Sequence, residues 1–177
     1  MRETSQKRGN KMEIRLAFPN EVNAVMKVIE DAKKTLAKAG SDQWQNDSPN
    51  TDIIIDDIIS GQAYVALEEG EVIAYAAVTR SPESAYDAIY EGKWQGGESE
   101  YLVFHRIAVA SDVQGKGVAQ TFLEGLIEGF DYLDFRSDTH DQNKVMQHIF
   151  EKLGFKQVGK VPVDGERLAY QKVKSNV

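Results

Sequence analysis

Cysteine is absent from this chain, which excludes disulfides, thiolate metal sites and a cysteine nucleophile, and leaves direct attack or another residue for any covalent chemistry. No uninterrupted apolar run approaches the eighteen or so residues that a membrane span needs, and Met1 to Lys11 is polar, without the apolar core of a signal peptide. The expectation is a cytoplasmic protein with no membrane partner. Positive charge is in deficit, 21 Lys and Arg against 28 Asp and Glu for a net charge of -7. A nucleic-acid footprint, which would show clustered Lys and Arg, is therefore not expected. The three histidines at 105, 140 and 148 share no metal-ligand spacing, so no metal is assigned. Internal repeats, low-complexity tracts and linkers are also missing.

What is present suits one domain. At 177 residues and 41% hydrophobic, the chain is long enough for a single substantial core. Met12 stands just before the first strand, so residues 1–11 are expected to be a flexible leader, with translation starting at Met1 or Met12, and 12–177 to be the domain. Glu13 to Ala17 alternates as a short strand. Asn20 is expected to cap a helix whose apolar positions Val22, Val25, Met26, Ile29, Ala32 and Leu36 follow helical spacing up to Gly40. A loop with Gln43, Trp44 and Pro49 leads to a short helix over Asp52 to Ile59. Glu69-Gly70 is the strongest hairpin signal in the chain, between strands Gln62 to Leu67 and Val72 to Thr79. Ser81 to Glu100 is polar, Gly-rich and acidic, and loops of that length are usually functional or mobile.

The most informative run is Gln114-Gly115-Lys116-Gly117-Val118-Ala119. It lies between an apolar strand, Tyr101 to Ala110, and a helix from about Lys116 to Glu128 whose stripe is Val118, Phe122, Leu123, Leu126 and Ile127. A strand, a Gly-rich turn and a helix N-terminus make an anion cradle, because free N–H groups and a dipole of roughly +0.5 charge point at the ligand. A Walker loop fails, since Ala110 stands where the first Gly belongs and Gly117 follows Lys116. A dinucleotide fingerprint fails at Gln120 and arrives too late in the chain. Leu133 and Phe135 mark the next strand, parallel to the Tyr101 strand because a helix connects them. Asp141 is expected to cap a last helix with Met146, Ile149, Phe150 and Leu153, closed by Gly154. Phe155 to Val158 and Leu168 to Val173 close the sheet.

Gln114, Gly117 and Ala119 fill the fixed places of the signature Q/R-x-x-G-x-G/A. Asn143 followed by Phe150-Glu151-Lys152-Leu153-Gly154-Phe155 supplies a second segment at matching separation and order. With both motifs the chain resembles the GNAT superfamily of N-acetyltransferases over roughly Met12 to Val173. The resemblance implies an α+β fold of the α/β three-layer sandwich type. Its mixed central sheet would have six or seven strands with helices on both faces, and a splayed parallel pair would form a slot for CoA. It further implies acetyl-CoA as co-substrate and transfer to a primary amine of a small molecule or peptide, by direct attack in a ternary complex. Main-chain groups around Ile107, Ala108 and Val109 would pair with the pantetheine arm as a missing strand does. The pyrophosphate would rest on Gln114, Gly115, Lys116, Gly117, Val118 and Ala119, with Lys116 either adding a charge or simply solvated. Asn143 would bind the cofactor arm or cap the last helix.

Phe150 departs from the family, which usually carries there a Tyr that protonates the leaving thiolate. A phenyl ring donates no proton, yet a thiol of pKa about 8.5 leaves tolerably as the anion. Phe150 is therefore expected to line the thioester pocket, with Tyr132 or water as the acid, and restoring Tyr there should not lower turnover severalfold. The same departure keeps open a CoA-binding regulatory or interaction module with little catalysis. His105, on the central strand where serotonin N-acetyltransferase also carries a His, is the first candidate base, its ordinary pKa near 6.5 suiting proton removal at neutral pH. A packed strand histidine is the alternative. His140, in the loop after the second slot strand, is the alternative base and an acceptor-site candidate, and His148 is expected on an exposed helix face. Trp44 either walls the acceptor pocket or plugs the core. The acidic residues Glu83, Asp87, Glu91, Glu98 and Glu100 either face a cationic amine or are solvated. A homodimer stays open.

Overall fold

The computed structural model describes residues 11–96 and 100–175; the expected leader, apart from Lys11, and Glu98 lie outside the described residues. Seven strands form one sheet: β1 Glu13–Leu16, β2 Ala63–Glu68, β3 Glu71–Arg80, β4 Tyr101–Val109, β5 Asp134–Thr139, β6 Lys156–Pro162 and β7 Glu166–Val173. Their order is β1-β2-β3-β4-β5-β7-β6. Every neighbouring pair is antiparallel except β4 and β5. The helices are α1 Val22–Lys38, α2 Thr51–Ile59, α3 Ser84–Asp87, α4 Val118–Gly129 and α5 Lys144–Lys152. Among the described residues, no helix is long and apolar enough to cross a membrane.

Periodicity decides which face each element buries. Val25, Val28, Ile29 and Ala32 of α1 pack with Ile54 of α2 on Val65, Tyr75 and Ala77 of the sheet. On the other face Phe122, Leu123 and Leu126 of α4 meet Phe104, Phe135 and Phe150. At about 25 cal/mol per Å2 of buried apolar area, each such side chain supplies roughly 1.5–3 kcal/mol, so these two stripes dominate the fold. The sheet sits between them as the middle of three layers.

Several local expectations are corrected. Asn20 does not cap α1; Pro19–Glu21 is a single tight turn in which the Glu21 carboxylate accepts from the Phe18 N–H at 2.7 Å and pairs with Arg15 at 2.7 Å. The cap of α5 is Asn143, whose Oδ1 accepts from Met146 N at 3.1 Å, and Asp141 does not serve. Leu133 lies outside β5, 42% exposed, while the strand carries the buried polar residues Asp134, Arg136 and Ser137. The described part of the 81–100 stretch, expected as a functional or mobile loop, is packed down by the fully buried Tyr86 and by Trp94, whose Nε1 donates to the Tyr86 carbonyl at 2.8 Å. Glu69-Gly70 makes the expected tight hairpin, with positive φ at both residues (51° and 80°).

One irregularity governs the centre of the sheet. Ala77 pairs with His105 but Tyr75 pairs with Ala108, so β4 holds an extra residue there. Arg106 takes φ 52°, a left-handed conformation that costs a non-Gly residue roughly 1–2 kcal/mol. The strand's alternation changes phase at this point. Tyr101 and Val103 bury on one face, whereas Ala108 and Ala110 bury on that same side after the bulge. What holds Arg106 there is Asp57 of α2, which accepts from Nε at 2.9 Å and from the terminal nitrogen at 2.6 Å, and also accepts a short hydrogen bond from the Tyr75 hydroxyl. Burial and the Asp57 carboxylate both push the Tyr75 phenol well above its ordinary value, so it stays a donor. Asp57→Ala strands a guanidinium and a buried hydroxyl together and should lower stability by about 3 kcal/mol. Tyr75→Phe removes one of the two partners and should cost about 1 kcal/mol. Both are read from the urea midpoint at unchanged m-value.

Candidate functional site

The parallel pairing of β4 with β5 runs from Tyr101↔Asp134 to Phe104↔Ser137 and stops. Ser137 Oγ fastens the last rung by donating to the Phe104 carbonyl at 2.8 Å. Beyond it the bulge carries Arg106 to Val109 away, and a cleft of about 1820 Å3 opens between the strands. Ala110 N donates to Ile73 O on the β3 side. By strand alternation the main-chain groups of Ile107 and Val109 then face the cleft, and those of Ala108 face β3. Ile107, Ala108 and Val109 all line its wall.

At one end lies the turn into α4. Gly115 and Gly117 adopt φ 76° and 75°, and a Cβ on either would meet nothing within 4 Å. Conformation, not crowding, therefore demands glycine at these positions. The first N–H groups of α4 have no intrahelical acceptor and open toward the cleft beside Val118 and Ala119. Gln114 is not free to meet a ligand with its amide. Its Nε2 donates to the Val109 carbonyl at 3.1 Å, and its Oε1 accepts from Thr35 Oγ1 at 2.9 Å. It thus ties the turn to β4 and α1 and occupies a carbonyl of the slot. Lys116 is exposed and does not line the cleft.

Across the slot, Asn143 lines the wall while its Oδ1 is spent on the cap of α5 and its Nδ2 donates to Gln43 Oε1 at 3.4 Å. Phe150 does not line the cleft as expected. Its ring is fully buried against Phe155 and Tyr170, centroids 5.2 and 5.1 Å away, whereas the α5 residues that reach the cleft include Met146 and Ile149. Tyr132, the expected substitute acid, precedes β5 at the end of the strand remote from the splay, so it cannot serve. Trp44 takes φ 65°, lines the cleft and also packs on the α1 cluster, which joins its two readings. His140 lines the cleft between two carboxylates, Nε2 3.2 Å from Asp42 and Nδ1 3.0 Å from Asp141. His148 is exposed on α5, at the cleft margin.

His105 stands on β4 at the last regular position before the bulge and lines the cleft. Behind it, away from the cleft, Nε2 lies 3.6 Å from Glu83 Oε2. The proximity of His105 lowers the Glu83 carboxyl below its ordinary value, against the opposing effect of its own burial. Among the described acidic residues of the 81–100 stretch, Glu83, Asp87, Glu91 and Glu100 do not line the cleft, so the cationic-acceptor reading of that stretch is not supported. Carboxylates that do line it come from other segments, among them Asp138 of β5, which accepts from the Tyr86 hydroxyl at 2.6 Å. Burial raises the Asp138 carboxyl above its ordinary range, with Tyr86 opposing, and burial with Asp138 pushes Tyr86 far up. The sequence offered no signal for this pair, whose members are 52 residues apart. Thr139 and Arg167, also on the cleft wall, were equally silent, and each carries a buried polar atom without a partner, Oγ1 and Nη1.

A carboxyl lowered by folding stabilises the fold above its unfolded pKa near 4.5, and that contribution is lost as pH falls through the folded value. Carbon-detected NMR should therefore find Glu83 titrating below 4.5 in the native protein. In His105→Gln the midpoint should rise; an unmoved midpoint would remove the contact.

A family model described as Acetyltransferase (GNAT) family matches residues 27–155. A GNAT-family acetyltransferase crystal structure from Streptococcus agalactiae 2603 is similar at 56% identity and TM-score 0.90, over 93% of this chain and 96% of that one. The PaiA N-acetyltransferase of Thermoplasma acidophilum, solved in complex with coenzyme A, shares the fold at 18% identity and TM-score 0.66, over 92% of this chain and 99% of that one. A Salmonella typhimurium putative acetyltransferase, solved with acetyl-CoA, shares it at 19% identity and TM-score 0.64, over 94% and 96%. No curated protein matches the chain significantly.

Proposed function

The chain belongs to the acetyltransferase (GNAT) family, and from that premise we propose that it transfers the acetyl group of acetyl-CoA to the primary amine of a small molecule or peptide by direct attack. The observation that carries the reading is the splay of β4 from β5, with two main-chain positions, Ile107 and Val109, turned into the gap and the N-terminus of α4 at its end. An extended amide-bearing arm fits such an unpaired strand edge, and phosphates fit the α4 N–H groups. Relatives of the same fold have been solved with coenzyme A and with acetyl-CoA. Asn143 and the wall residues Val118 and Ala119 enclose the arm in this reading.

In the proposed reaction the amine nitrogen attacks the thioester carbonyl, the C–S bond breaks, and CoA departs as thiolate while the amine sheds a proton. A lysine-like amine of pKa about 10.4 costs about 4.6 kcal/mol to deprotonate at pH 7, an α-amino group near 7.8 only about 1. His105 is the assigned base, because it faces the cleft and Glu83 behind it stabilises the imidazolium that forms. The thiolate needs no protein acid in this scheme, consistent with the burial of Phe150 away from the cleft. A CoA-binding module with little catalysis is the competing reading, favoured by Phe150 alone.

Free thiol release from acetyl-CoA should accelerate with amine acceptors. His105→Gln should lower kcat/KM by roughly 10²- to 10⁴-fold and flatten the acidic limb of the pH-rate profile, while acetyl-CoA affinity holds. Tight acetyl-CoA binding with no release over a broad panel of amines, amino acids and N-terminal peptides would favour the module.

A further inference from the structure

Two arginines are buried on the sheet face that carries His105, and they differ in one respect. Arg136 is fully matched: Asp134 pairs with it at 2.8 Å, and the guanidinium lies over Tyr101 and Trp94 at 3.8 and 4.6 Å from the ring centroids. Arg167 of β7 is as deeply placed, 8% exposed, but its only hydrogen bond among the described residues runs from Nε to the Val163 carbonyl at 2.9 Å. Its Nη1 is buried with no hydrogen-bond partner among the described residues, and its charge is felt only at longer range, by Asp138, whose carboxyl it helps to lower against the effect of burial. A buried N–H group left unpaired costs free energy, more so on a charged side chain. Arg167 nevertheless lines the cleft.

No nearby carboxylate forms an ion pair with it among the described residues, and several are engaged elsewhere. Asp138 takes the Tyr86 hydroxyl, Glu83 holds His105, Asp42 meets His140, and Glu166 binds Lys160 at 3.0 Å. Arg167 also stands apart from the α4 N-terminus. It shares the sheet face of Ala169, Tyr86 and Val103, whereas α4 packs on the opposite face with Phe104 and Phe135. A donor phosphate resting on α4 is thus on the other side of the slot. On the Arg167 side the next position after Phe104↔Ser137 brings His105 beside Asp138, and Asp138 pairs with Ala169, two residues from Arg167. The base and the unmatched guanidinium are therefore separated by two strand spacings, about 10 Å, and a two-residue step along the strand, a gap their side chains shorten.

We infer that Arg167 recognises a carboxylate on the acceptor, so that the amine substrate is an amino acid or a related amino-carboxylate, held by its acid at Arg167 while its amine meets His105. The inference rests on the transfer reading above. A planar guanidinium suits a carboxylate through paired N–H···O bonds. An acceptor lacking the acid leaves the guanidinium unpaired, which is the stronger source of selectivity.

The test compares acceptors matched except for the acid: L-lysine against cadaverine, L-ornithine against putrescine, L-phenylalanine against 2-phenylethylamine, and glycine against methylamine. Thiol release and ligand-induced thermal shift are both read. In the wild type the acid-bearing member of at least one pair should win by about tenfold or more in kcat/KM and give the larger shift. In Arg167→Leu that ratio should fall to near one, with the change in KM, while Arg167→Lys keeps part of it. Arg167→Leu should melt no lower than wild type, since it removes a buried N–H group left unpaired; a melting temperature several degrees lower would mean the guanidinium already has its partner, and overturns the proposal. Equal use and equal binding of both members of every pair overturns it as well, as does a preference that survives Arg167→Leu. Acid-selective binding without thiol release would uphold Arg167 and sink the transfer reading alone.

Discussion

The bidentate pair of Arg106 with Asp57 is the contact on which the site depends. Left to itself, Arg106 would avoid a positive φ, and β4 would keep its register with β3 and continue beside β5. The carboxylate of Asp57, buried on α2 and bonded also to Tyr75, offsets the backbone cost and fixes one extra residue in the strand. From that residue onward the strand changes phase and leaves its parallel neighbour. A helix on one face thus decides that the centre of the sheet parts, and the parting is what exposes main-chain donors and acceptors to a ligand.

The sheet then divides the chemistry between its faces. The turn at Gly115 and Gly117 and the N–H groups of α4 belong to one side, whereas His105, Asp138 and Arg167 belong to the other. A molecule reaching through the slot brings an anionic end and a reactive end to different surroundings. On the reactive side the polar groups are held by partners farther from the cleft: Glu83 behind His105, Tyr86 behind Asp138. The 81–100 stretch matters for this reason. It supplies the orienting groups, and its own place is set by Tyr86 and Trp94 packing onto β4 and β5.

Much of the architecture was legible because its signals are local. The stripes of α1 and α4, the Glu69-Gly70 hairpin, the glycine turn and the parallel strand pair each depend on residues within a few positions of one another. The failures share a different origin. Asp141 and Asn143 both suit a helix cap, and only the path of the chain after β5 selects Asn143. Phe150 was placed in a pocket by analogy with a tyrosine, yet the ring is buried against Phe155 and Tyr170. The acidic stretch suggested a cation site by composition, whereas the segment is turned by its aromatics so that the described carboxylates miss the cleft.

From the sequence alone came the family, the order of elements and the place of the glycine turn ahead of α4, since glycine at a positive φ and an unpaired helix end are properties of consecutive residues. The tertiary structure decided where β4 departs from β5, what stands behind His105, and that Arg167 is buried with its Nη1 unpaired. Those facts depend on groups brought together across 49 residues for Asp57 with Arg106 and 52 for Tyr86 with Asp138. Burial changes what a charge costs, and burial exists only once the chain has folded.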